Sequence, residues 1–203
     1  MTLKPWFLLP LLLVSVQGVE YPPSDFIYMI GATHWGFWGE TQVCENGSYV
    51  YGLELKVEED QGNFNDDSAL NEIKLFCRST EGDHTGEVTS SVGEKGIYTG
   101  AYHCPGGFMN GFDLKMEAEH NRGDNTAANG VRAYCTSGGD PVEPPGGEWG
   151  DWLAEQQFPP GPSKCHSNMV VCGLMTLVQE NQGSLHDDTA LNDVKFLCCH
   201  LPE

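Results

Sequence analysis

Residues 123–135 read "GDNTAANGVRAYC", an acidic, Asn-containing segment that leads into an alternating run and stops at a cysteine. The skeleton returns upstream as "NDDSALNEIKLFC" (65–77) and downstream as "HDDTALNDVKFLC" (186–198). A catalytic site needs its carboxylates once, whereas a fold made of three copies needs its turn chemistry three times. The repetition therefore points to scaffold. Asp66, Asp124 and Asp187, with Asn71, Asn129 and Asn192, are expected to bond neighbouring backbone N–H groups as Asx turns ahead of a strand.

Outward from these segments the period becomes plain. Cys44, Cys104 and Cys165 stand 60 and 61 residues apart, and each precedes by seven or eight residues a glycine that opens an alternating run. The runs are "GLELKVE" from Gly52, "GFDLKME" from Gly111 and "GLMTLVQ" from Gly173. Leu53, Leu55 and Val57, like Phe112, Leu114 and Met116, alternate with charged residues, the two-residue period of a half-buried strand. In the third run Met175 and Leu177 stand where Glu54 and Lys56 stand in the first, so its second face is expected to be covered as well. Each repeat thus carries a pair of strands with a cysteine at each end, and no amphipathic helix stands out. The organisation expected is a single all-β domain over 19–203, with repeats of about 25–85, 86–140 and 141–203 closing around a pseudo-threefold axis.

Composition sets the compartment. Residues 1–18 combine Lys4, a short apolar run bracketed by Pro5 and Pro10, and small residues before a cleavage point, which reads as a secretory signal peptide rather than a membrane anchor. The whole chain carries a net charge of −19; without that segment nine basic residues face 29 acidic ones, for −20. Such a surface repels phosphate backbones, which excludes nucleic acid, and attracts basic secreted proteins. Eight cysteines in a secreted chain read as four disulfides. Repeat equivalence pairs Cys44 with Cys77 and Cys104 with Cys135, each worth about 3 to 4 kcal/mol in the chain-entropy model. In the third repeat it favours Cys165 with Cys198 and leaves Cys172 with Cys199, although the crossed pairing of these four stays open. Neither a Cys-x-x-Cys zinc motif nor the ligand rhythm of a calcium loop occurs, and no cofactor motif is present, so neither a metal nor a cofactor is expected.

Features that break the threefold pattern are the better pointers to function. Trp35 and Trp38 in the first repeat and Trp149 and Trp152 in the third stand where the second repeat has Lys95 and Tyr98. Aromatic faces stack on sugar rings, and they also seal sheet edges. Asn46-Gly47-Ser48 is a sequon for glycosylation at Asn46. The seven histidines are scattered, and no nucleophile-base arrangement is visible, so the sequence names no catalytic residues.

Taken together, "WGFWGE", "WGDW", "GLELKVE", "GDNTAANGVRAYC" and "DDTALNDVKFLCC" resemble the vitelline membrane outer layer protein 1 family over nearly the whole chain. The resemblance implies a disulfide-stapled β-prism of three Greek-key sheets, secretion, and a place in the outer layer of the egg's vitelline membrane. The family is also linked to lectin-like folds and a suggested activity on chito-oligosaccharides, with no agreed catalytic residues to carry over. The second repeat departs from the family's Trp-Gly-x-Trp at Lys95, Gly96, Ile97 and Tyr98, which weakens any claim of three equivalent aromatic sites. The expected function is a structural extracellular-matrix protein associating with extracellular glycoproteins or glycans, without membrane insertion. The alternative is a carbohydrate-binding module using Trp35, Trp38, Trp149 and Trp152. A third reading is a weak transferase or hydrolase with two of Asp66, Asp67, Asp124, Asp187 and Asp188 as acid and base.

Overall fold

The computed structural model of the protein describes residues 25–59, 68–118, 126–180 and 189–202. The segment read as a signal peptide, 1–18, and Asp66, Asp67, Asp124, Asp187 and Asp188 lie outside the described residues. In chain order the strands are β1 (Phe26–Ile27), β2 (Phe37–Trp38), β3 (Gln42–Val43), β4 (Ser48–Val57), β5 (Leu70–Ser79), β6 (His84–Val88), β7 (Ile97–Tyr98), β8 (Tyr102–His103), β9 (Met109–Met116), β10 (Ala128–Cys135) and β11 (Asp151–Trp152). A single-turn helix, α1 (Leu153–Gln156), comes next, followed by β12 (Ser163–Lys164), β13 (Met169–Val178) and β14 (Leu191–His200).

The alternating runs form the first strands of three antiparallel hairpins, β4–β5, β9–β10 and β13–β14. Because alternation sends every second side chain inward, Leu53, Leu55, Ile73 and Leu75 of the first hairpin meet Phe112, Leu114 and Val131 of the second and Leu174, Val194 and Phe196 of the third in one shared core. Phe112 and Phe196 touch edge to face across it, with ring centroids 4.6 Å apart. Where the first two hairpins place Leu55 and Leu114, the third places Thr176, whose hydroxyl donates to the Ser91 carbonyl at 2.9 Å and so satisfies its burial. The outer side of β13 is covered too, with Leu177 buried and Met175 half-buried.

Each hairpin carries the same two irregularities. The register shifts between Val50 and Gly52, between Met109 and Gly111, and between Val171 and Gly173; it shifts again where Asn71, Asn129 and Asn192 stand as the extra residue on the second strand. A bulge bends its strand and increases twist, so three hairpins with matched bulges at both ends curl alike around one axis.

No sheet is built from one repeat alone. The first hairpin is joined by β6, which straddles the boundary with the second repeat, and by β7 and β8 of the second repeat; the second hairpin is joined by β11 and β12 from the third. The third hairpin takes β2 and β3 from the first repeat, together with β1, so the start of the domain closes the ring against its end. Periodicity places strands within a repeat but carries no information about which neighbour completes each sheet. Disulfides join the opening segment of each repeat to its hairpin: Cys44–Cys77, Cys104–Cys135 and Cys165–Cys198, each with Cα atoms 5.8 Å apart. Cys172–Cys199 adds a fourth on the outer side of the third sheet, beside Tyr49, Val170 and Leu197. Three sheets around one core, stapled at one end, make a β-prism.

Candidate functional site

The three bulge asparagines sit at the end of the prism opposite the disulfides, fully buried. Each Nδ2 donates to a hydroxyl three residues back and to the carbonyl two back: Asn71 to Ser68 (2.8 Å) and Ala69 (3.2 Å), Asn129 to Thr126 (2.6 Å) and Ala127 (3.2 Å), Asn192 to Thr189 (2.7 Å) and Ala190 (3.1 Å). The hydroxyls in turn donate to Glu58, Glu117 and Gln179 at the ends of the first strands. Ala69, Ala127 and Ala190 all hold positive φ, between 44° and 47°, a conformation costly for any residue with a Cβ. The expected Asx turn, with side chains accepting from neighbouring N–H groups, is therefore replaced at these asparagines by side chains that donate back into the loop. In each bulge the groups within reach of Nδ2 are a hydroxyl oxygen and a backbone carbonyl, both of which accept.

The asparagine carbonyls break the symmetry. Asn192 Oδ1 accepts from the Thr33 hydroxyl at 2.8 Å and Asn71 Oδ1 from the Lys95 backbone N–H at 3.3 Å. Asn129 Oδ1 is buried without a hydrogen-bond partner among the described residues.

The segments carrying the Trp-Gly-x-Trp pattern lie over this same end. Their glycines, Gly36, Gly96 and Gly150, have φ of 95°, 96° and 82°, and a Cβ on any of them would strike the backbone at Val178, Val57 or Met116 at under 3 Å. Hence glycine stands there three times, once per repeat. Lys56 Nζ donates to the Gly93 and Glu94 carbonyls, and Lys115 Nζ to those of Gly147 and Glu148, clamping two segments; Leu177 takes the corresponding place in the third sheet.

The four tryptophans do not converge. Trp38 and Trp152 lie on the outer sides of different sheets, beneath Lys195 (4.4 Å to the ring centre) and Arg132 (4.3 Å); Tyr98 lies under Lys74 in the same relation (4.2 Å). Trp35 and Trp149 belong to separate segments at the bulge end, where Trp35 stacks on His34. Asn46 is exposed in the turn before β4, while Ser48 of its sequon is buried.

Charges on the outer faces differ sheet by sheet. Asp113 is fully buried; its carboxylate accepts from Arg132 Nη2 at 2.8 Å and from the Leu114 and Ala154 N–H groups, and burial nonetheless raises its pKa. On the first sheet Lys74 pairs with Glu54 at 3.1 Å, and Tyr98 donates to Glu72 at 2.8 Å. On the third, half-buried Asp193 faces Leu177 across the strands, where Glu72 faces Lys56. Burial pushes the Asp193 carboxyl up to about 7, against the opposing pull of the Val194 N–H and Lys195.

Between neighbouring hairpin ends lie clefts. One is lined by Ser68 and Asn71 of the first hairpin, Val178, Gln179, Glu180 and Ala190 of the third, and the 92–95 segment; it encloses about 340 Å³. Its counterpart one-third of a turn away has Thr126, Asn129, Glu58, Ala69 and Gly147–Trp149 in the corresponding places and encloses about 10 Å³. Lys95 in place of Trp149 is the largest change of side chain between the two linings, beside Ser68 for Thr126 and Gln179 for Glu58. The Lys95 Nζ lies 3.7 Å from Glu58, directed toward the first hairpin.

A threefold β-prism of this kind is shared with plant lectins. Calystegia sepium agglutinin superposes with a TM-score of 0.51 at 9% identity, over 89% of this chain and 99% of that one, and single-chain jacalin with 0.50 at 8% identity, over 90% and 97%. At such identity the likeness shows the fold alone. The family is given by sequence: residues 26–201 match the model of vitelline membrane outer layer protein I, and the chain belongs to that family. It is 41% identical to the human vitelline membrane outer layer protein 1 homolog over 202 residues, covering 95% of each chain, and 39% identical to the Mus musculus homolog over 184 residues, covering 89% of this chain and 86% of that one.

Proposed function

We propose that the protein is a secreted structural component of an extracellular layer, of the vitelline membrane outer layer type, where a rigid acidic prism associates with glycoproteins. The observation that carries this reading is the closed ring of three sheets held by four disulfides, a build suited to an oxidising compartment. The net charge of −19 supports association with basic partners through screened electrostatics. Expression in a secretory cell line should deliver to the medium a chain lacking residues 1–18. That chain should be retained on isolated vitelline outer layer at low salt and released as salt rises. Failure to bind the layer at any salt concentration would sink the reading.

A second reading, carbohydrate binding, is favoured by the fold. A lectin of the same architecture, superposing with a TM-score of 0.51, holds a biantennary N-glycan in its crystal structure. Among the described residues no helix is long and apolar enough to cross a membrane. The catalytic reading rests on carboxylates outside the described residues and gains no support from the geometry.

A further inference from the structure

We propose that the cleft between the first and third hairpins, opened by Lys95 standing where the other repeats have tryptophan, binds a single hydroxyl-rich unit of a saccharide. The cleft and its counterpart one-third of a turn away are built from equivalent positions. Ser68, Asn71, Gly93, Glu94, Gln179 and Ala190 correspond one for one to Thr126, Asn129, Gly147, Glu148, Glu58 and Ala69. The two clefts thus stand on equivalent positions of the fold, and the largest side-chain change between one of about 10 Å³ and one of about 340 Å³ is Lys95 for Trp149. A scaffold requirement would fill both clefts alike; a space of this size lies at the small end of ligand pockets, which run from about 300 Å³ upward.

The lining fixes the ligand's chemistry. The carboxylates of Glu94 and Glu180 accept hydrogen bonds, and the Gln179 Nε2 donates while its Oε1 is held by Thr189, so vicinal hydroxyls find partners of both kinds; Lys95, paired with Glu58, borders the cleft. Val92, Val178 and Ala190 supply an apolar wall for the C–H face of a pyranose ring. The floor is rigid, because Asn71 and Ser68 are locked into the bulge network and Lys56 clamps the Gly93 and Glu94 carbonyls. Two glutamates against one lysine, on a chain of net charge −19, disfavour anionic sugars and favour neutral or amino sugars.

This inference deepens the carbohydrate reading and is independent of layer association. The test is an amide-shift titration of the secreted protein with chitotriose, mannotriose and lactose at millimolar concentration. The expected result is that at least one probe moves the amides of Ser68, Asn71, Gly93 and Ala190 while leaving Thr126, Asn129 and Gly147 in place. Lys95→Trp, which restores the residue tolerated at positions 35 and 149, should weaken that binding by at least about tenfold with the melting temperature maintained. Glu180→Gln, which leaves the cleft open, should weaken it by several-fold. Shifts that map to Trp38 or Trp152 instead would keep the carbohydrate reading and overturn this site. Equal affinity in wild type and both variants would likewise overturn this site alone, whereas the absence of shifts with all three probes would overturn the site and the carbohydrate reading together.

Discussion

Replacing each bulge asparagine by alanine turns the threefold network into a graded experiment. Asn192 makes three side-chain hydrogen bonds, to Thr189, Ala190 and Thr33, so at about 1 kcal/mol net per bond its removal should cost about 3 kcal/mol. Asn71 keeps the same donor pair, but its third bond, from the Lys95 N–H at 3.3 Å, is longer, which places Asn71→Ala at about 2 to 3 kcal/mol. Asn129 makes only the donor pair, and its Oδ1 is buried without a partner among the described residues. Removing that oxygen returns part of a desolvation penalty, so Asn129→Ala should cost about 1 kcal/mol. For a chain of this size each kcal/mol lowers the melting temperature by about 2 to 4 °C, which separates Asn192→Ala from Asn129→Ala by about 4 to 8 °C. Urea unfolding followed by tryptophan fluorescence and thermal melts by circular dichroism give two independent readings of the order. An Asn129→Ala cost equal to or above that of Asn192→Ala would refute the assignment of these bonds.

Arg132→Met should destabilise the protein by about 3 to 5 kcal/mol, because it strands the buried Asp113 carboxylate, and Asp113→Asn in the same chain should recover much of the loss in urea unfolding. Asp193, with a folded pKa near 7 against about 4 unfolded, holds its proton more tightly in the native state; its contribution is therefore lost as pH rises from about 4 to 7. Asp193→Asn should flatten that part of the stability-pH curve and leave the variant more stable than wild type at pH 8. An unchanged slope between the two chains would contradict the assignment.

Much of this architecture is legible in the sequence, and what is not has physical causes. The hairpins follow from the two-residue period of "GLELKVE" and "GFDLKME", and the covered outer side of β13 from Met175 and Leu177. The exchange of strands between repeats is not legible, since β2, β7 and β11 are two residues each and their partners are fixed by closure around the axis rather than by local pattern. Gly36, Gly96 and Gly150 mark where these short strands begin, but only the close approach to Val178, Val57 and Met116 explains why glycine is required. The donor role of Asn71, Asn129 and Asn192 depends on burial in a bulge, which sequence spacing does not reveal. Trp35, Trp38, Trp149 and Trp152 are read from the sequence as one group, whereas cation-π partners fix Trp38 and Trp152 on separate sheets. The departure at Lys95 is visible in the sequence; the cleft it opens becomes visible only when Trp149 is seen closing its counterpart.

The first repeat's opening segment completes the third sheet and closes the prism. In the structure the Gly39 N–H donates to the Thr176 carbonyl and the Cys44 N–H to that of Cys172, as the Thr99 and Cys104 N–H groups donate to Leu55 and Tyr51. Native-state amide hydrogen exchange resolved to these four residues tests that closure most directly. Closure predicts that Gly39 and Cys44 are protected to the same degree as Thr99 and Cys104. Exchange of Gly39 and Cys44 at the rate of exposed turns, with Thr99 and Cys104 still protected, would contradict it.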